Sequence, residues 1–409
     1  MKFLKVDSIE QAREKMTASL RDVFTKTEYV ELAEAAGRCL AEDIYCPEMV
    51  PDFRRSTVDG YAVLARDTQG AGESIPVFLD IIEEVAIGQP AVRTLKSGEC
   101  AYVPTGGMLP DGADAMVMVE YTELFDEKSV AVYSAVSPGS SVVQIGEDAE
   151  KGQLLLEKGT RLTAKSIGVL ASIGRKQIEV FRPWRLMVIS TGDELVLPGE
   201  ERTACRVYDI NTSAICTLAW EHGMEVVETV TLRDEEELLE QALRRSLGIC
   251  DIVVVSGGSS QGKKDITARL IDKIAAPGVY THGLALKPGK PTIIGADDAS
   301  ETLLIGLPGH PVAAMMVFEL LVVWLQKKMF GEKEKPCIPA VLESNIPGAP
   351  GKATCQMVKL TASGSGYTAR PVFGKSGLMS TLTQADGYVL LEVNQEGLRS
   401  GEQVFVHLF

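Results

Sequence analysis

From Trp184 onward the chain alternates short, continuous apolar runs with amphipathic stretches, and no other feature constrains the fold as strongly. RLMVIS (185–190), DIVVVS (251–256) and TLLIGL (302–307) carry almost no polar face and are too short for stable helices. Such runs read as strands covered on both sides. Between them, NTSAICTLAWEHG (211–223) reads as a helix with Asn211 at its cap and Gly223 at its end. DEEELLEQALRRSL reads as a helix capped by Asp234 with Glu237, and MEVVETVTL as a strand. Buried strands alternating with helices predict a parallel α/β sheet. The run VAAMMVFELLVVWL (312–325) is interrupted by Glu319. It also falls short of the roughly 20 residues that cross a bilayer, so it predicts a buried helix.

The rest of the chain has a different punctuation. Helix-like spacing in ASLRDVF and ELAEAAGRCLAEDI predicts a helical segment up to Pro47 and Pro51. From Gly60 to Ser141, runs such as IPVFLDII, AMVMVEYTEL and SVAVYSAV are separated by Gly, Pro and Asp, as in a β-domain. LTAKSIGVLASIG predicts a further helix ended by Gly174. After the charged linker GEKEKP (331–336) the pattern returns to short strands. The order helical, β, mixed, α/β, β fits a helical domain split by an inserted β-domain.

The chain has 41 basic against 56 acidic side chains, a formal net charge of −15. Binding to phosphate backbones or to an anionic membrane needs a basic face, so neither nucleic acid nor membrane is expected as a partner. Only four His are present, and no pair is placed for an HExxH zinc site. The eight Cys include no CxxC pair and several lie in apolar runs, as in a reduced, cytoplasmic protein. MKFLKVDSIEQAREKM has charge within its apolar positions, unlike a signal peptide, and Ser8 with Gln11 forms a capping box.

Ligands of open parallel sheets bind beyond the carboxyl ends of the strands. Three such ends feed turns rich in Gly, Ser and Pro: Ser190-Thr191-Gly192-Asp193-Glu194, Ser256-Gly257-Gly258-Ser259-Ser260 and Leu307-Pro308-Gly309-His310-Pro311. Their backbone N–H groups suit a phosphate or another oxyanion. GGSSQGKK (257–264) stops one residue short of a P-loop, because Lys264 stands where a hydroxyl ligates Mg²⁺. LKPGKP (286–291) fixes Lys287 and Lys290 on a Pro/Gly turn, which suits an oxyanion clamp. Asp59, Asp148, Glu194 and Asp265 each stand at a turn or beside Gly. Glu194 and Asp265 follow neighbouring loops and are placed to share a Mg²⁺ whose shell a substrate phosphate completes.

Eight motifs then occur in order: RRSTVDGYAV (54–63), VPTGGMLPDGADAMVMVE (103–120), GEDAEKGQLLLEKGTRL (146–162), STGDEL (190–195), YDIN (208–211), SGGSSQGKKDIT (256–267), LALKPGKP (284–291) and GLPGHPVAA (306–314). Together they resemble the molybdopterin molybdenumtransferase (MoeA) family, which includes the gephyrin E domain, over almost the whole chain. The resemblance implies an α/β multidomain fold: a split helical linker domain (1–46 and 142–180), an inserted β-domain (47–141), a MogA-like parallel α/β sheet domain (181–331) and a C-terminal β-barrel (332–409). It implies an elongated homodimer that inserts molybdate into adenylylated molybdopterin with Mg²⁺ assisting and AMP released.

By motif, Asp59 and Asp148 would come from the facing subunit, with Thr105 and Gly106 on the same wall. Glu194 and Asp265 would hold Mg²⁺ or promote AMP loss. Ser190, Thr191, Gly192, Asp193, Asp209, Asn211, Ser256, Gly257, Gly258 and Ser259 would contact nucleotide or pterin. Lys287, Lys290, Pro308, Gly309, His310 and Ser376 would surround the oxyanion. The chain departs from the family pattern at His310 for Asn, Ala313 for Ser, Lys352 for Arg, and in Lys263-Lys264. These departures bear on molybdate against tungstate. Two other readings share the motifs: a gephyrin-like scaffold without turnover, and the adenylyltransferase of the preceding step, which needs only the α/β domain.

Overall fold

The computed structural model describes residues 6–19, 22–257, 264–364 and 366–409, the side chains of Lys264 and Asp265 excepted. Gly258, Ser259 and Lys263 thus lie outside the described residues, as do the side chains of Lys264 and Asp265. The chain forms two compact units, one of residues 1–42, 158–167 and 176–409, the other of residues 43–157 and 168–175.

In the first unit the α/β pattern resolves into a six-stranded sheet. Its order is Glu225–Leu232, Arg185–Thr191, Ile252–Gly257, Thr302–Leu307, Ile293–Asp297, Pro277–His282. The first four strands are parallel. The last two are antiparallel, a mixed edge absent from the purely parallel expectation. Residues 277–297 form this edge as a hairpin, so they need no crossover helix. Thr191 pairs with Gly257, which places the two Gly-rich turns side by side. Gly257 has φ +135°, and a Cβ there would lie 2.1 Å from the Thr191 carbonyl oxygen. Only glycine permits that close approach.

Helix limits differ in part from expectation. The helix Ile210–Glu221 is capped by Asp209, not Asn211. Asp209 accepts the Thr212 N–H, and Gly223 (φ +71°) follows the helix end as expected. The helix Glu236–Ser246 has Glu235, not Asp234, at its cap position, and the Glu235 side chain makes no cap hydrogen bond. The last apolar helix is longer than read. It runs from Pro311 through a π-helical turn, Phe318–Val323, to Phe330, and stops at Gly331 with φ +71°.

The N-terminal helical expectation holds only for Ile9–Ser19, where Ser8 and Gln11 form the reciprocal cap at 3.1 Å each way. Thr27–Glu31 is a strand, paired antiparallel with Gln177–Phe181, and Leu32–Glu34 is a single 3-10 turn. Aromatic and β-branched residues such as Tyr29 and Val30 suit that ladder better than a helix. The ladder joins the two sequence segments flanking the insertion. The helix Ala164–Ser172 is followed by Gly174 with φ +72°, in line with expectation.

An aromatic cluster seals this unit. Phe24 meets Trp184 edge-on at 5.1 Å, Trp184 meets Phe330 at 5.6 Å, and Phe330 stacks on Phe181 at 4.3 Å. The Trp184 indole N–H donates to the Phe24 carbonyl at 3.0 Å. C-terminal strands 338–342, 353–363, 366–371, 387–391 and 403–408 close into a barrel, because Ala353–Ser363 pairs both with its hairpin neighbour and with Gly387–Leu391. A sixth, two-residue strand, Leu286–Lys287, joins the barrel in parallel with Ala353 and Thr354.

The second unit holds the expected inserted β-structure. Its six-stranded sheet has the order 115–118, 60–63, 99–103, 77–84, 129–132, 122–126. Leu79, Val103, Val117, Val130 and Val132 form its core.

Trp184→Ala removes the ring that joins three segments and its indole hydrogen bond. Truncating a buried Trp costs about 3–5 kcal/mol. Urea unfolding should show that loss, whereas Tyr29→Ala, at an exposed ring, should change the midpoint little.

Candidate functional site

Asp209 organises the strand ends. Its carboxylate is 2% exposed and has four donors in reach. Thr212 N–H and Ser190 Oγ approach Oδ1 at 3.0 and 3.2 Å, and Thr212 Oγ1 and Thr231 Oγ1 approach Oδ2 at 2.7 and 2.9 Å. These donors come from the helix start and two neighbouring strands. Hydrogen bonds to the charged form are what permit a buried carboxylate. Its charge reaches Cys216, whose thiol is pushed up to about 11, first by burial and then by Asp209.

Asn211 ties the next two loops to this one. Its side-chain amide donates to Ser256 Oγ at 2.6 Å and to the Gly309 carbonyl at 2.9 Å. The turns after the 185–191, 252–257 and 302–307 strands are therefore one hydrogen-bonded assembly. They enclose a cavity of about 300 Å³ lined by Ser190, Thr191, Glu194, Asp209, Asn211, Ser256, Gly257, Gly309 and His310, among others. Glu194 is exposed at its wall. Gly192 and Asp193 line neither this cavity nor the next. Asp193 instead accepts the Asp234 N–H at 3.2 Å.

Gly309 and His310 also line a second cavity of about 740 Å³. Lys287, Lys290, Pro308 and Ser376 from the sequence reading all line it. Gly289 (φ +131°) presses the lysine turn against the core, since a Cβ there would lie 2.8 Å from both Leu286 and Val317 side-chain carbons. His310 Nδ1 lies 2.8 Å from Ser376 Oγ, joining the start of the Pro311–Val317 helix to the barrel loop. The barrel adds Lys352 and Lys375. Four lysines thus line a cavity with no Asp or Glu among its lining residues, and none of the four pairs with a described carboxylate.

Lys375, Thr354 and Gln356 were not singled out from sequence. Thr354 and Gln356 reach the cavity wall through the pairing of Leu286–Lys287 with Ala353–Thr354, and Lys375 through the loop that Ser376 ties to His310 and Val312; no local pattern announces either.

Within the other unit, Asp59 Oδ1 accepts the Thr105 N–H at 2.8 Å and the Thr105 hydroxyl at 3.1 Å. This contact fixes the turn holding Gly106, whose φ is +81°. Asp148 is exposed at a turn held by its N–H to the Val50 carbonyl at 3.0 Å. Among the described residues no group of three or more His, Cys, Asp or Glu side chains is placed to hold a metal ion.

The fold is that of a multidomain α/β protein with two adjoining cavities at the strand ends, one of them lined by four lysines. Family models agree along the chain: the MoeA N-terminal region (domain I and II) matches residues 7–174, a probable molybdopterin binding domain residues 187–327, and the MoeA C-terminal region (domain IV) residues 339–409. The molybdopterin molybdenumtransferase of Haemophilus influenzae is 32% identical, over 98% of each chain. That of Bacillus subtilis is also 32% identical, over 94% of this chain and 90% of its own. The crystal structure of a molybdopterin biosynthesis MoeA protein from Pyrococcus horikoshii superposes with a TM-score of 0.81, at 37% identity and 99% coverage of both chains. The chain belongs to the molybdopterin molybdenumtransferase (MoeA) family.

Asp209→Ala strips the acceptor from three hydroxyls and one backbone N–H. Buried donors left unpaired cost about 1–3 kcal/mol each when water cannot replace the partner. A lower urea midpoint is expected, and Ser190→Ala, which removes one donor only, should lower it less.

Proposed function

We propose that this chain is the enzyme that inserts molybdate into adenylylated molybdopterin with release of AMP, yielding molybdenum cofactor. The carrying observation is the cavity of about 740 Å³ that four lysines line with no Asp or Glu among its lining residues, and that shares Gly309 and His310 with the strand-end cavity. A tetrahedral dianion suits the lysine cavity. The Ser/Gly-rich strand ends suit the phosphate and nucleotide of the organic substrate.

The two cavities share Gly309 and His310, so the ligands would be held next to each other. Orientation of two bound reactants supplies much of the rate acceleration in such a step. Lys287, Lys290, Lys352 and Lys375 position the oxyanion and offset its charge. Ser190, Asp209 and Asn211 hold the strand-end turns in register for the pterin phosphate.

Mg²⁺ fits the hard carboxylate donors proposed for it, Glu194 and Asp265, since this ion takes few protein ligands and completes its shell with water and phosphate oxygens. When bound, it would neutralise charge on the leaving phosphate. We further propose a cytoplasmic homodimer. All eight cysteines are free thiols, and no helix among the described residues is long and apolar enough to cross a membrane. In the dimer, Asp59 and Asp148 of a second copy complete the site.

Two measurements test these readings. Lys287→Ala with Lys290→Ala should raise the molybdate concentration for half-maximal AMP release by tenfold or more, with unfolding unchanged because both side chains are exposed. Unaltered molybdate dependence would place the oxyanion elsewhere. Separately inactive Asp59→Asn and Glu194→Gln chains, mixed by denaturation and refolding, should regain about a quarter of wild-type turnover. Random pairing makes half the dimers mixed, each with one intact site. No recovery would overturn the shared-site dimer.

A further inference from the structure

We propose that His310 is a positioning residue for the oxyanion: through Ser376 it holds a barrel loop in place as one wall of the lysine-lined cavity. This rests on the reading of that cavity as the oxyanion site.

The loop, residues 373–379, belongs to no helix or strand. Phe373, Gly374, Lys375 and Ser376 line the lysine cavity, whereas Gly377 lines the strand-end cavity. The loop thus passes from one cavity to the other where Gly309 and His310 line both. Ordering an irregular segment costs conformational entropy at every residue, so its place depends on what ties it down.

Among the described residues, two hydrogen bonds tie this loop to the α/β domain, and both end on Ser376. The Val312 N–H donates to the Ser376 carbonyl at 3.2 Å. His310 Nδ1 lies 2.8 Å from Ser376 Oγ. Neutral and protonated imidazole can both make that bond, since a hydroxyl donates and accepts. The ring also stands beside Gly377, where a Cβ would lie 4.0 Å from its Cδ2.

His310 is itself firmly placed. It holds the cap position of the Pro311–Val317 helix with φ −77° and ψ 128°, yet its side chain makes no cap bond. That side chain reaches across to the barrel loop instead. On one side of it, the Gly309 carbonyl accepts from the Asn211 amide at 2.9 Å. On the other, Pro311 has a fixed φ and opens a helix whose Val312, Ala313 and Ala314 are buried. The strand-end network that Asn211 extends is therefore continued, through His310, into the wall that carries Lys375.

Such a role differs from that of a direct ligand. A group touching the anion by itself adds its effect to that of Ser376, whereas a latch is lost with either of its ends.

Calorimetric titration of the intact protein with sodium molybdate separates the two. His310→Leu should weaken molybdate binding about three- to tenfold, the weight of one hydrogen bond. His310→Asn should retain most of the affinity, because its amide stands about where Nδ1 does. The double variant His310→Leu with Ser376→Ala should bind no more weakly than Ser376→Ala alone. Additive losses in the double variant, or a His310→Leu protein that binds as wild type does, overturn the proposal. So does a lowered melting temperature with molybdate affinity intact, which marks a packing role only. Failure of the underlying reading looks different and would take the proposal with it: the wild type would bind no molybdate, or Lys287→Ala with Lys290→Ala would leave binding intact.

Discussion

A carboxylate removed from water must be surrounded by donors, and meeting that requirement at Asp209 shapes the functional end of the α/β sheet. The four donors around it come from the 185–191 strand, the 225–232 strand and the first turn of the helix it caps. Asn211, two residues on, extends the same network to Ser256 and Gly309. One short segment, 209–211, therefore sets the spacing of three loops. The two cavities inherit their geometry from it, because Gly309 and His310 belong to both.

Charge is distributed as unevenly as the chemistry requires. The unit of residues 43–157 and 168–175 holds 20 acidic and 8 basic side chains, a net of −12. The other unit carries only the remaining −3. The overall −15 argued against polyanionic partners, yet it hid a nearly neutral unit with a cavity whose only charged lining residues are lysines. Local charge decides ligand binding, because exposed charges beyond about 10 Å are screened at ordinary salt.

Much of this was legible in the sequence, and the failures have physical causes. Continuous apolar runs identified the buried strands, and the turns after them identified most of the strand-end cavity. The KPGKP turn gave two of the four lysines. Misreadings arose where local propensity met a distant partner. ELAEAAGRCLAEDI has helical spacing, but its Cys39 and Leu40 bridge to Arg161 and Val180, far along the chain. Asn211 is a good cap by type, yet Asp209 takes that role and frees Asn211 to bridge loops. Thr354 escaped notice because the barrel meets the 286–287 segment through a parallel pairing with residues 353–354. Parallel pairings join remote segments and leave no turn signature.

The origin of the four lysines gives the barrel seam a second role. Lys287 and Lys290 stand on the turn that ends the Leu286–Lys287 strand, while Lys352 and Lys375 belong to the barrel. On the proposed reading, a dianion held by all four would act as a clasp between two layers of the molecule. Linkage then makes grip and occupancy reciprocal: at a hundredfold excess over its dissociation constant, an anion that binds only the closed seam tightens it by about 2.7 kcal/mol. By the same coupling, the proposed site would hold the barrel least firmly once its anion has left.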